Sequence, residues 1–183
     1  MFKKGEFILY GTVGVCQVEK ISRTDFSDND RLYYYLVPRY EKDTTICIPV
    51  DSDKVMMRGI MSRKDAERFV NAWPDVECKE YANDRERPQA YKEAIQSGDC
   101  LELASMIKEI SRMEQSRKGK GRILSVREKD GAKAARRLLF GELAAALSIG
   151  YGDETPAPRP RRPLSLPIGM DLQTHPRTDN LLF

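Results

Sequence analysis

The sequence predicts an α+β chain: a small β-barrel, then an all-α four-helix domain, then a disordered Pro-rich tail. Three observations predict it. Short apolar runs separated by turn residues fill positions 1–58, and capped amphipathic segments fill 59–150. Positions 151–183 are rich in proline and arginine and have no apolar period.

Phe7-Ile8-Leu9-Tyr10 is the first apolar run, stopped by Gly11. Gly14 to Ile21 reads as a second strand, with Val15 and Val18 among its apolar positions. Arg31 to Pro38 is a third, rich in aromatic and branched residues. Asp25 to Asp30 supplies the polar turn before it, and Tyr40 to Asp43 turns the chain toward a last strand over Thr44–Ile48. Strands this short and this close bury enough surface only by curling into a small barrel. Val55 to Ile60 reads as the link to the helices.

Ser62 with Asp65 opens the first helix, whose face carries Ala66, Phe69, Val70 and Trp73 until Pro74 ends it. That spacing makes Trp73 a core residue. A second helix starts between Asp84 and Pro88, shows Tyr91, Ala94 and Ile95 on one stripe, and closes at Gly98. Asp99 with Glu102 is an acidic capping box for a third, which runs to about Arg117 with Leu103, Ile107, Ile110 and Met113 aligned. Lys118-Gly119-Lys120-Gly121 breaks the chain. Ser125 with Glu128 caps the last helix, whose buried side is Ala135, Leu138, Leu139, Leu143 and Leu147, with Gly150 as its end. Gly131 and Gly141 weaken it by about 1 kcal/mol each relative to alanine, and close helix packing is the expected compensation.

The net charge of +3 matters less than its distribution. Residues 1–58 carry 9 basic and 9 acidic side chains, whereas Arg112–Arg137 carries 10 basic against 3 acidic. That excess points to a polyanion or to a solvated helix face. Pro-x-x-Pro elements in the tail offer a partner a ligand, but the tail reads first as a plain linker-like extension.

The four cysteines, at 16, 47, 78 and 100, show no Cys-x-x-Cys spacing, and the single histidine, His175, lies in the tail. No metal site and no cofactor are expected, and the thiols read as reduced, in the cytoplasm. No apolar run approaches a membrane span, and no signal peptide is evident. Converging acid, base or nucleophile positions are missing, and Gly119-x-Gly121 does not follow a strand. No catalytic residue is expected, and the chain is read as a non-enzyme.

Met1-Phe2-Lys3-Lys4-Gly5-Glu6, Tyr10, Gly14-Val15, Val18 and Ile48-Pro49 are followed by Tyr91-Lys92-Glu93-Ala94-Ile95-Gln96-Ser97-Gly98-Asp99. Leu103-Ala104, Ile107 and Gly141-Glu142-Leu143-Ala144 come next. In this order and spacing, across roughly residues 1–148, the chain resembles the CarD family. These are bacterial transcription regulators whose Tudor-like amino-terminal barrel is shared with the transcription-repair coupling factor.

The resemblance implies a monomer with a Tudor-like domain at 1–58 that docks on the β subunit of RNA polymerase. A helical domain at 59–150 would contact promoter DNA and stabilise the open complex. Docking would add a partner strand at the barrel edge, using Thr44, Ile46, Cys47, Ile48 and Pro49. Relatives commonly have arginine where this chain has Cys47, and that departure removes a charged contact. Arg23 is the nearby basic substitute. Barrel core is the competing reading for Ile46 and Ile48.

In the family a tryptophan beside basic residues wedges at the upstream edge of the promoter bubble. Counting back from Ser97-Gly98-Asp99 puts Asp84 at that position, with Glu86 and Gln89 at the basic ones. A three-residue slip puts Tyr81 there instead, followed by Arg85 and Arg87. Lys92, Lys118, Lys120 and Arg122 complete the phosphate candidates, for contact that is salt-sensitive and largely independent of sequence. Arg136 and Arg137 flank an apolar stripe and are read either as phosphate contacts or as snorkelling side chains. A protein-only adaptor that binds polymerase without DNA is the alternative.

Overall fold

Among the described residues, five short strands form one antiparallel sheet, in the order β4-β3-β2-β1-β5: Phe7–Tyr10 (β1), Gly14–Ser22 (β2), Tyr33–Pro38 (β3), Ile46–Pro49 (β4) and Met57–Gly59 (β5). The computed structural model describes residues 1–23, 31–41, 43–79, 81, 85–119, 121 and 123–150. The expectations for the turn at 25–30 and for the tail at 151–183 lie outside these.

The sheet curls. One face of all five strands feeds a single cluster built on Ile8, Cys16, Val18, Tyr34, Leu36 and Ile48, with Met57 packed against it. Alternation along β2 survives only because of a bulge: Val18 pairs with Leu36, but Lys20 pairs with Tyr35, so Glu19 is the extra residue. The bulge returns Ile21 to the inner face and leaves Lys20 outside. Phe2 closes one end, its N–H donating to the Tyr34 hydroxyl at 2.8 Å.

The expected link over Val55 to Ile60 is corrected. Met57–Gly59 is a fifth strand, with Ile8 opposite Gly59 and Tyr10 opposite Met57. Its strand character comes from β1 and not from its own residues, which include no β-branched side chain. Two boundaries also move inward, with β3 starting at Tyr33 and β4 at Ile46.

Four helices follow among the described residues: Arg63–Ala72 (α1), Arg87–Ser97 (α2), Cys100–Lys118 (α3) and Val126–Leu147 (α4), with a short 3₁₀ turn at Trp73–Asp75. The caps lie where local chemistry puts them. Ser62 accepts from the Asp65 N–H, and Ser125 and Glu128 form the full reciprocal box. Asp99 accepts from the N–H groups of Leu101 and Glu102, but Glu102 is bonded by the Ser97 hydroxyl at 3.0 Å instead of closing the box. Helix α4 ends at Ser148, in the left-handed region at φ 57°, two residues before Gly150.

Packing crosses position 58. Leu9 and Val15, on the outer face of β1 and β2, are buried in the same cluster as Ala66, Trp73, Leu103, Leu138 and Leu139. Gly141 is approached from the sheet side: a Cβ there would lie 3.2 Å from the Tyr40 ring, whose hydroxyl donates to the Gly141 carbonyl at 2.8 Å. Gly131 has helical neighbours, Met106 of α3 and Tyr91 of α2. Thus the two glycines that weaken α4 are where other elements come closest.

Candidate functional site

Among the described residues the edge strand β4 pairs with β3 alone, with Tyr35 opposite Cys47 and Tyr33 opposite Pro49. Val50 N–H donates to the Leu32 carbonyl, and bonded pairs alternate along an antiparallel ladder. Ile48 and Ile46 therefore bond to β3, while Cys47 and Pro49 direct their backbone groups outward. Proline is tolerated at 49 for this reason, because no ladder donor is lost there.

Side chains alternate in the same way. Ile48 is buried in the sheet core and Ile46 packs against it, so both follow the core reading through their side chains. Cys47 and Thr44 are exposed, and Thr44 precedes the strand. Arg23 is exposed just past Ser22, which pairs with Tyr33; Arg23 and Pro49 thus share one end of the sheet, and Thr44 lies at the other. Around Cys47 the outer face carries the half-buried Tyr33 and Tyr35, with the Lys20 ammonium 5.1 Å from the Tyr35 ring centre. The sequence carried this signal in Tyr33-Tyr34-Tyr35: strand alternation buries Tyr34 and turns its two neighbours outward.

On the helical side, Tyr81 and Arg87 come together, but inwardly. Glu109 is only 2% exposed and accepts from Arg87 Nε and from the Tyr91 hydroxyl, both at 2.8 Å. Tyr81 is half-buried, edge-on to Tyr91 at 6.1 Å and beside the Arg87 guanidinium at 5.9 Å. Burial, then Glu109, pushes the Tyr91 hydroxyl far above the ordinary phenol range and raises Tyr81 as well. Both hydroxyls stay protonated, and Tyr91 remains a hydrogen-bond donor to Glu109 at any physiological pH.

Arg85, Lys92 and Lys118 are exposed, while Lys120 and Arg122 lie outside the described residues. Lys118 is paired with Glu114 at 3.4 Å and Arg117 with Glu128 at 2.7 Å. Arg137 neither snorkels nor points to solvent alone: its Nη2 donates to the Thr12 carbonyl at 2.7 Å, tying α4 to the β1–β2 turn. Beside that tie, a cavity of about 500 Å³ opens between α2 and the start of α4. Tyr91 and Ile95 line one wall and Gly131 the other, with Lys92 and Arg127 also lining it. Sequence reasoning missed Arg127, which lies in a capped first turn and is separated from Lys92 by 35 positions.

All four cysteines are free. Burial, then Glu142, pushes Cys100 up to about 12, and burial, then Glu41, does the same to Cys16. Among the described residues no group of His, Cys, Asp or Glu is placed to hold a metal ion, and no helix is long and apolar enough to cross a membrane.

Two family models match the chain. The CarD-like/TRCF RID domain matches residues 2–61, and the CarD C-terminal domain matches residues 73–154. The chain belongs to the CarD family. Its sheet is the RNA polymerase-interacting domain that CarD proteins share with the transcription-repair coupling factor, α2 to α4 fall within the match to the CarD carboxy-terminal domain, and α1 lies between the two matches. CarD proteins are non-enzymatic transcription factors that interact with RNA polymerase. This CarD protein carries an exposed strand edge at β4 and a cavity flanked by Lys92 and Arg127.

Proposed function

We propose that this CarD protein acts in the cytoplasm as a monomer that docks β4 on the RNA polymerase β subunit, contacts promoter DNA with its helices, and stabilises the open complex. The observation that carries the reading is the free β4 edge, with Cys47 offering an outward N–H and carbonyl in a domain of the polymerase-interacting type. A partner strand added there gains main-chain hydrogen bonds, and the outer side chains set specificity. Thr44, Cys47, Pro49 and Arg23 are the contact residues of this proposal, with Ile46 and Ile48 contributing support from beneath. Tyr33 and Tyr35 extend it.

Arg85, Lys92 and Lys118, together with Lys120 and Arg122, are proposed to hold DNA phosphates. Tyr81 and Arg87 are proposed to act at the fork by fixing the start of α2, since each already has inward partners. A protein that binds the melted state more tightly than the closed one shifts that equilibrium. A protein-only adaptor is the second reading, favoured by the pairing of Arg117, Lys118 and Arg137 with acidic side chains.

The test is the affinity of the full chain for polymerase, measured with wild type and with Cys47→Pro. Loss of binding at unchanged melting temperature supports the edge, and unchanged affinity in a folded variant rejects it. Loss of the open-complex effect at raised salt, with polymerase still bound, separates the DNA reading from the adaptor.

A further inference from the structure

We propose that the cavity between α2 and α4 receives one unpaired nucleobase from the upstream edge of the promoter bubble, with the flanking phosphates held by Lys92 and Arg127. This rests on the DNA reading above and names the ligand of that surface. The cavity, about 500 Å³, is large enough for a purine with room for its sugar. Pro88, Tyr91 and Ile95 supply apolar walls, and Gln96 supplies a polar group for a base edge.

Charge favours a nucleotide over an apolar side chain. Lys92 and Arg127 are both exposed, and neither is in an ion pair among the described residues. The one carboxylate in the lining, Glu128, is already compensated, accepting from Arg117 Nη1 and from the Ser125 N–H, each at 2.7 Å. Arg87, also in the lining, is directed to Glu109.

The aromatic inventory points the same way. Trp73 is 9% exposed against Phe140 and Phe69, and Tyr81 is packed on Tyr91. The described helices thus present no free ring to push into a fork. A fork is also held when the protein takes a base in, and unpairing costs least where strands are already parting.

The experiment measures open-complex lifetime with and without the full chain, on intact promoter and on promoters carrying one abasic nucleotide at successive upstream-edge positions. The blocking variant is Thr12→Trp. Thr12 is exposed and lines the cavity, and the carbonyl bonded by Arg137 is retained. The expected result is that one abasic position lowers the lifetime gain at least about five-fold. Thr12→Trp, at unchanged melting temperature, produces the same loss on intact promoter and no further loss on the abasic one. A folded Thr12→Trp protein that matches wild type on intact promoter overturns the proposal, as does the absence of any sensitive position. Lowered polymerase affinity in place of lifetime overturns it too, and assigns the cavity to a protein contact. If wild type does not lengthen the lifetime of the intact complex at all, the parent reading fails first.

Discussion

Arg58 of β5 and Glu142 of α4 form a two-pronged ion pair across the sheet–helix junction, Nη1 to Oε1 at 2.5 Å and Nη2 to Oε2 at 2.7 Å. Glu142 is fully buried, and its other contacts complete the site: Met61 N–H donates to Oε1 at 2.8 Å, and the Cys100 thiol lies 3.7 Å from Oε2. Arg58 Nη2 also donates to the Gly98 carbonyl at 2.9 Å. One guanidinium therefore joins β5, the end of α2 and the carboxy-terminal half of α4. The hydrogen bonds to Glu142 raise the Arg58 pKa further, so the guanidinium stays charged.

Breaking this pair on one side is expected to be severe. Arg58→Met leaves a carboxylate buried without its partner, which costs on the order of 3 kcal/mol. Urea unfolding of the full chain measures it. The double variant Arg58→Met/Glu142→Leu is expected to recover part of the loss, because an apolar pair of similar volume carries no desolvation cost. A single variant as stable as wild type contradicts the account of the junction.

Acid sensitivity is expected at the start of α4. Burial alone would raise Glu128, but hydrogen bonds from Arg117 and Ser125 outweigh it and hold the carboxyl below its usual value of 4.5. A group depressed in the folded state stabilises the fold above its unfolded pKa and loses that contribution as pH falls through the folded one. Glu128→Gln should therefore lower stability at neutral pH and flatten the decline below about pH 4.5. A parallel shift of the whole stability-against-pH curve would refute the assignment.

Cys47 is expected to react first with a thiol reagent, because it is exposed while Cys16 and Cys100 are held up to about 12. Mass spectrometry after brief alkylation identifies the site. A bulky adduct at Cys47 should also block polymerase binding, since it stands on the outer face of the docking edge. Full binding by the singly labelled protein counts against β4 as the contact.

Tyr81→Ala is expected to lower the melting temperature, because the ring packs against Tyr91 and Arg87 beside a buried carboxylate. The loss should be about 1–2 kcal/mol, in keeping with a half-buried aromatic. Tyr81→Phe should keep most of it. A melting temperature unchanged in Tyr81→Ala would mean that the ring is not structural.

The helices were legible because their signals are local: Ser62, Asp99 and Ser125 meet their cap partners within three residues. The first four strands were legible from alternation and turn residues. Strand β5 was not, since only pairing with β1 makes Met57–Gly59 a strand. The tie between Tyr40 and Gly141 spans 101 positions, and that between Arg58 and Glu142 spans 84; no local pattern announces either. At the candidate site, the outward turn of Cys47 followed from strand period, whereas the inward pairing of Arg87 did not. Its partner Glu109 lies on the next helix and reads in sequence as one more charged surface residue.

Open-complex lifetime in the presence of the full chain tests the central claim most directly, with wild type and Cys47→Pro compared on one promoter. Wild type is expected to lengthen the lifetime in proportion to its occupancy of polymerase. Cys47→Pro, at equal melting temperature, is expected to leave the lifetime at its value without the protein. A wild-type chain that saturates polymerase without changing the lifetime, or a Cys47→Pro chain that lengthens it equally, contradicts the account.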